Sequence, residues 1–249
     1  MNYKILGILG GMGPYAGSFF AQKLFELNQT ACEDSAHLEC VLYSNPTIPN
    51  RSNALLSGAP SPVNEIAISL NKLSTIGCCY GVIICNTAHI YIDEIVKKSR
   101  LPIINLIECA AINIAERGIK EVGLLATSAT ISYGLYDKYL GPLGIRVINP
   151  EKKHQTLLNN LIFNSSYGIK ATAPTISDKA LDDLHIVIDA MQERGVQHLV
   201  LGCTELSLAM PSLKQSNIEF LDPIIYLADK CIALTALQRA KNSELVNMM

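Results

Sequence analysis

The sequence predicts an α/β protein with two similar domains, each a mostly parallel sheet flanked by helices. A pseudo-dyad relates them, and the active site falls in the cleft between. Three observations carry this. Short apolar runs alternate with longer segments of helical period. A spacing of 118 residues relates several of these runs. Two runs, GVIIC at 81–85 and HLVLGC at 198–203, each end in a cysteine followed by small or polar side chains.

Strands are expected near Lys4–Leu9, Leu38–Tyr43, Gly81–Cys85, Ile103–Leu106, Glu121–Ala126, Arg146–Ile148, His198–Gly202 and Glu219–Leu221. Their near-continuous apolar character suits sheets buried on both faces. Between them, Gly17–Leu27 carries Phe20, Leu24 and Leu27 at helical spacing. Pro62–Leu73 does so with Val63, Ile66, Ala67, Leu70 and Leu73, and Ser177–Arg194 with Leu181, Leu184, Ile188 and Met191. Alternating strands and helices imply parallel sheets.

Moved by 118, the run at 4–9 lands on 122–127, Cys85 on Cys203 and Ile103 on Leu221. This predicts a first half over 1–118, a second over 119–222, and a closing helical stretch over 223–249. The turn ERGIKE places the boundary near Arg117–Lys120.

Composition excludes several functions. The 249 residues are 49% hydrophobic and 17% charged, with a formal charge of −2. No basic run exceeds Lys97-Lys98 or Lys152-Lys153, so neither nucleic acid nor an anionic membrane surface is an expected partner. No run of roughly 20 apolar residues offers a membrane span. Gly7, Gly10 and Gly11 break the opening run, and no A-x-A-like cleavage site follows, which argues against a signal peptide. The eight cysteines form no regular disulfide frame. A reducing, cytoplasmic location is expected.

Cys85 and Cys203 stand at the carboxyl ends of equivalent strands, where ligands of such sheets bind. Facing halves would aim both thiols into one cleft. A free thiol titrates near about 8.5 and is lowered at a helix N-terminus, so each cysteine is expected to favour its anion. Two thiols on opposite faces of one carbon suit two-base exchange, in which one removes a Cα proton and the other delivers one to the far face. Asn86, Thr87 and Thr204 offer hydrogen bonds to a substrate carboxylate.

These motifs resemble the aspartate/glutamate racemase family over nearly the whole chain. The matching segments are GILGGMGP at 7–14, IPNRS at 48–52, CNTAH at 85–89, LLATSAT at 124–130, GIKA at 168–171 and GCTEL at 202–206. The resemblance implies cofactor-independent racemisation of aspartate, glutamate or a related amino acid, and a homodimer. It makes Cys85 and Cys203 the acid/base pair. Asn86, Thr87, Thr127 and Thr204 would hold the α-carboxylate, with Met12 and Ala88 beside the substrate. Arg51 and Lys170 would read a distal carboxylate, as a bidentate fork and a compact charge respectively. Glu205 would tune Cys203 or bind the substrate ammonium. Asn50 stands where many members carry Asp, and Thr172 where Gly often follows.

Other readings are a cysteine-dependent decarboxylase or maleate-type isomerase on the same fold, and a catalytically silent small-acid binding protein. A thiol hydrolase lacks an acid to orient His89 or His198. The glycines at 10–13 fail the strict dinucleotide pattern, and no Walker lysine follows. Cys85 and His89 share a metal-ligand spacing, but no second ligand pair exists, so no metal is expected.

Overall fold

A computed structural model describes residues 5–29, 31–213 and 217–234. In chain order, the first half runs β1 (Ile5–Gly10), α1 (Pro14–Leu27), β2 (Cys40–Ser44), α2 (Arg51–Leu56), α3 (Val63–Ile76), β3 (Cys78–Ile83), α4 (Ile92–Lys98) and α5 (Leu106–Glu116). It continues with β4 (Glu121–Ala126), α6 (Ser128–Ser132), α7 (Leu135–Leu140), β5 (Arg146–Ile148), α8 (Lys152–Phe163), α9 (Ile169–Thr172) and α10 (Asp178–Glu193). Last come β6 (His198–Gly202), α11 (Thr204–Ala209) and β7 (Glu219–Leu221). Residues 223–234 are helical; the rest of the expected closing helix, and Lys4 of the first expected strand, lie outside the described residues.

Two parallel sheets result, ordered β2-β1-β3 and β5-β4-β6-β7. Apart from its first residue, β1 is buried throughout, as is β4, which is why neither alternates apolar with polar. Neighbouring residues face different cores. Leu6, Ile8, Val82 and Ile84 enter a central cluster that also takes Val122, Leu124 and Val200 from the second sheet. Leu9, Ile83 and Cys85 face a cluster with α3 and α4. Leu199, Leu201 and Cys203 face one with α8 and α10. Ile224, Leu227, Ala228 and Cys231 of the last helical stretch join the central cluster, beside Phe20, Leu24 and Leu140.

The helices start and stop where local chemistry dictates. Pro14 opens α1 at a position whose N–H has no helical partner. The Ser177 side chain caps α10 by accepting from the Ala180 N–H. Gly77 ends α3 at φ 106°, in the left-handed region open to glycine.

Two expectations need correction. Ile103–Leu106 is not a strand. Only Ile103 bridges, to Gly81, and the Asn105 side chain accepts from the Ile107 and Glu108 N–H groups to start α5. Cap chemistry overrides the apolar run there. The 118 spacing also fails for the opening strands. Gly7 pairs with Gly81 and Gly123 with Leu199, so β1 and β4 lie 116 apart while Gly81 and Leu199 lie 118 apart. A slip of two residues keeps every side chain on its face, so the repeat survives it.

Candidate active site

The first half delivers Cys85 just beyond β3. The chain stays extended through Cys85, then turns into a short 3-10 helix over Asn86–Tyr91. His89 folds back beneath it. The Leu106 N–H donates to His89 Nε2 at 3.3 Å, which leaves the proton on Nδ1 to donate to the Cys85 carbonyl at 2.9 Å. Burial pushes the imidazole down to about 4, so it is neutral near pH 7. Both ring nitrogens are thus engaged, Nδ1 with the Cys85 backbone and Nε2 with the start of α5.

The next residues are equally fixed. Asn86 Oδ1 accepts a 2.6 Å hydrogen bond from Tyr136 of α7, while its buried Nδ2 has no partner among the described residues. Thr87 Oγ1 lies 3.1 Å from both Thr127 Oγ1 and Thr130 Oγ1, which are 3.0 Å apart. Thr127 caps α6 and accepts from the Thr130 N–H. Sequence reading missed Thr130 and Tyr136. The cap spacing of Thr127 and Thr130 was a usable signal for the first, but nothing local marks the second.

The second half delivers Cys203 after β6, at the start of the six-residue α11. Its Sγ–H donates to Glu205 Oε2 at 3.0 Å. Glu205 Oε1 accepts from the Gly13 N–H at 2.9 Å and from Lys170 Nζ. Burial raises the Cys203 thiol well above its ordinary value, and the Glu205 charge adds to this. The expected lowering by the helix N-terminus therefore does not occur, because burial, reinforced by a carboxylate two residues on, overrides it. For Glu205 itself, burial works against the charge, but Lys170 outweighs it and holds the carboxyl below its ordinary value. Burial likewise works to lower Lys170, and Glu205 reverses this, so Lys170 stays cationic.

The Met12 carbonyl joins the halves. It accepts from Arg51 Nη2 at 2.8 Å and from Lys170 Nζ at 3.0 Å. Arg51 Nη1 donates to the Ile48 and Pro49 carbonyls at 3.2 and 3.1 Å, and its buried Nε has no partner among the described residues. Gly11 permits this arrangement. Its φ is 94°, and a Cβ there would lie 2.4–2.5 Å from the Asn45 backbone. The glycine loop thus serves a close backbone approach that brings Met12 to the cleft.

One small cavity, about 10 Å³, is lined by Met12, Arg51, Cys85, Asn86, Thr87, Thr127, Lys170, Cys203, Thr204 and Glu205. Asn50, Ser52 and Phe163, not chosen from the sequence as site residues, also line it. Ala88 does not; it is fully buried in the core behind Cys85. Thr172 lines neither this cavity nor its neighbour; its hydroxyl donates to the Gly168 carbonyl. The neighbouring cavity, about 360 Å³, shares Met12, Asn50, Arg51, Lys170 and Glu205 as a common wall and opens past Tyr15, Pro46 and Ile48. Cys85 and Cys203 are free thiols, 6% and 5% exposed. The arrangement offers two sulfur acid/base groups, hydroxyl and amide groups beside them, and two cations at the wall.

This architecture has known counterparts. The family model of the Asp/Glu/Hydantoin racemases matches residues 9–231. A broad specificity amino-acid racemase of Bacillus subtilis is 27% identical over 241 residues, spanning 92% of this chain and 97% of its own. The aspartate racemase of Picrophilus torridus superposes with a TM-score of 0.80 at 33% identity, over 94% of each chain. A glutamate racemase of Francisella tularensis, solved with D-glutamate, shares the fold at a TM-score of 0.67 and 16% identity, over 96% of this chain and 82% of its own. With two parallel sheets and a family match across most of its length, the chain belongs to the Asp/Glu/hydantoin racemase family.

Proposed function

We propose that this chain is a cofactor-independent racemase that inverts Cα of aspartate, glutamate or both by proton transfer between Cys85 and Cys203. The observation that carries this reading is that two thiols, each following an equivalent strand in opposite halves, line a single cavity. The halves are taken as residues 1–118 and 119–222, with 223–249 closing the fold.

In one direction Cys85, as thiolate, takes the Cα proton, and the electron pair is delocalised into the α-carboxylate. Cys203 then delivers its own proton to the opposite face of Cα. Its raised thiol and its hydrogen bond to Glu205 suit Cys203 to rest as the acid in this direction. The opposite enantiomer enters with the roles exchanged. The unpartnered Asn86 amide supports a role as donor to the α-carboxylate, where charge grows in the transition state. Thr87, Thr127 and Thr204, whose hydroxyls bond to neighbouring threonines or to Glu205, would turn theirs toward it.

Arg51 retains its Nε–H and one Nη2–H after its three backbone contacts, donors suited to a distal carboxylate. Lys170 supplies a second cation from the other half. A cavity of about 10 Å³ holds no more than about one water, so an amino acid enters only when the walls of the cavity part. Their closure would exclude water from the deprotonated carbon.

The test is a screen of the purified protein, without pyridoxal phosphate, against both enantiomers of the nineteen chiral amino acids, read by chiral chromatography. Aspartate or glutamate should lose optical purity. Optical purity retained by all of them, with turnover of maleate or an arylmalonate instead, would refute the proposal.

A further inference from the structure

The two ends of the Asn86 amide have different surroundings. Oδ1 accepts a 2.6 Å hydrogen bond from the Tyr136 hydroxyl, whereas Nδ2 is buried without a partner in a side chain that lines the cysteine cavity. Tyr136 comes from the other half, on α7, and is fully buried with Leu135, Leu140 and Ile145 in the central cluster. Its ring is therefore held by packing, and its hydroxyl has a fixed position. Burial also pushes the phenol well above its ordinary range, so it persists as an O–H donor. The hydroxyl could also accept from Nδ2 in the reverse orientation, but its own buried O–H would then have no acceptor among the described residues, so the orientation with Oδ1 toward Tyr136 is favoured. The reverse orientation would present Oδ1 to an incoming carboxylate, acceptor against acceptor.

We infer that Tyr136 is a positioning residue for the reaction. By binding Asn86 Oδ1 from across the halves, it turns the amide N–H₂ group toward the space between Cys85 and Cys203, ready for the substrate α-carboxylate. This rests on the racemase reading above. The role is one of binding geometry, since Tyr136 acts through Asn86 and does not line the cavity itself.

The experiment is a double-mutant cycle on the full chain with Tyr136→Phe and Asn86→Ala, measuring KM and kcat for the racemised amino acid. Tyr136→Phe should raise KM roughly tenfold and change kcat by less than about threefold, the scale of one hydrogen bond. In the Asn86→Ala background the same change should have no further effect. Leu140→Ala, which opens the same core without touching the hydrogen bond, should lower Tm yet leave KM unchanged. A wild-type KM in Tyr136→Phe, or full additivity in the double variant, would overturn the inference.

Two NMR measurements keep the outcomes separate. In the wild-type protein, the Asn86 side-chain N–H₂ signals, assigned by their loss in Asn86→Ala, should shift when aspartate is added. In Tyr136→Phe without ligand they should already differ from wild type. If no amino acid is racemised or bound, the racemase reading fails, and the second comparison alone judges whether Tyr136 sets the amide. Unmoved signals in Tyr136→Phe would refute that.

Discussion

Glu205 sits two residues past Cys203 and reinforces the protonated form that burial already favours. Burial alone would raise Cys203, and the carboxylate raises it further while accepting its proton in a hydrogen bond. Removing the charge at constant shape, by Glu205→Gln, should therefore lower the thiol, so that thiolate appears at a lower pH. Iodoacetamide alkylation of Cys203 across a pH series would read this as a midpoint moved to lower pH, and an unmoved or higher midpoint would contradict it. The carboxylate was recognisable in GCTEL, and tuning of Cys203 was one of two roles expected of it, but the direction of that tuning was not. A helix start predicted a lowered thiol, and only the placement of Lys170 and Gly13 around Glu205 shows that this carboxylate stays charged and adds to the effect of burial. Arg51 is a similar case, identifiable as a cation but not as one that already spends three donations on backbone carbonyls.

Elements with strong period were legible and those set by a single cap were not. The faces of α3 and α10 follow their apolar spacing closely. The segment at 103–106 reads as a strand by composition, yet Asn105 converts it to a helix start by accepting from two N–H groups. Its amide also donates to the Tyr139 hydroxyl at 2.9 Å, tying α5 to α7. Asn105→Ala should cost about 1–2 kcal/mol, as expected for a lost cap, while Asn105→Asp, which keeps the acceptor, should cost less. Urea unfolding would show this as a lower midpoint at unchanged slope. An Asn105→Ala midpoint equal to wild type would mean that α5 needs no cap. The tight fit of the glycine loop against Asn45 depends on a neighbour 34 residues away and leaves no trace in the local sequence.

At the scale of the molecule, the division into two sheets was readable because strand-end cysteines and flanking runs repeat, even though the spacing slips by two at the opening strands. What was not readable is how the halves meet. Thr87 reaching Thr127 and Thr130, Tyr136 reaching Asn86, and Lys170 reaching Met12 are contacts between segments 40 to 158 residues apart. Such pairings depend on the docked geometry of both sheets, which no local pattern encodes. That docking is also what brings Cys85 and Cys203 to one cavity. The most direct measurement starts from a pure L enantiomer in deuterated water, using wild type, Cys85→Ser and Cys203→Ser. Wild type should give D product carrying deuterium at Cα while the remaining L substrate stays largely protiated at early times, and each variant should lose racemisation. A single-serine variant that racemises at near wild-type rate would contradict proton transfer by a pair of thiols.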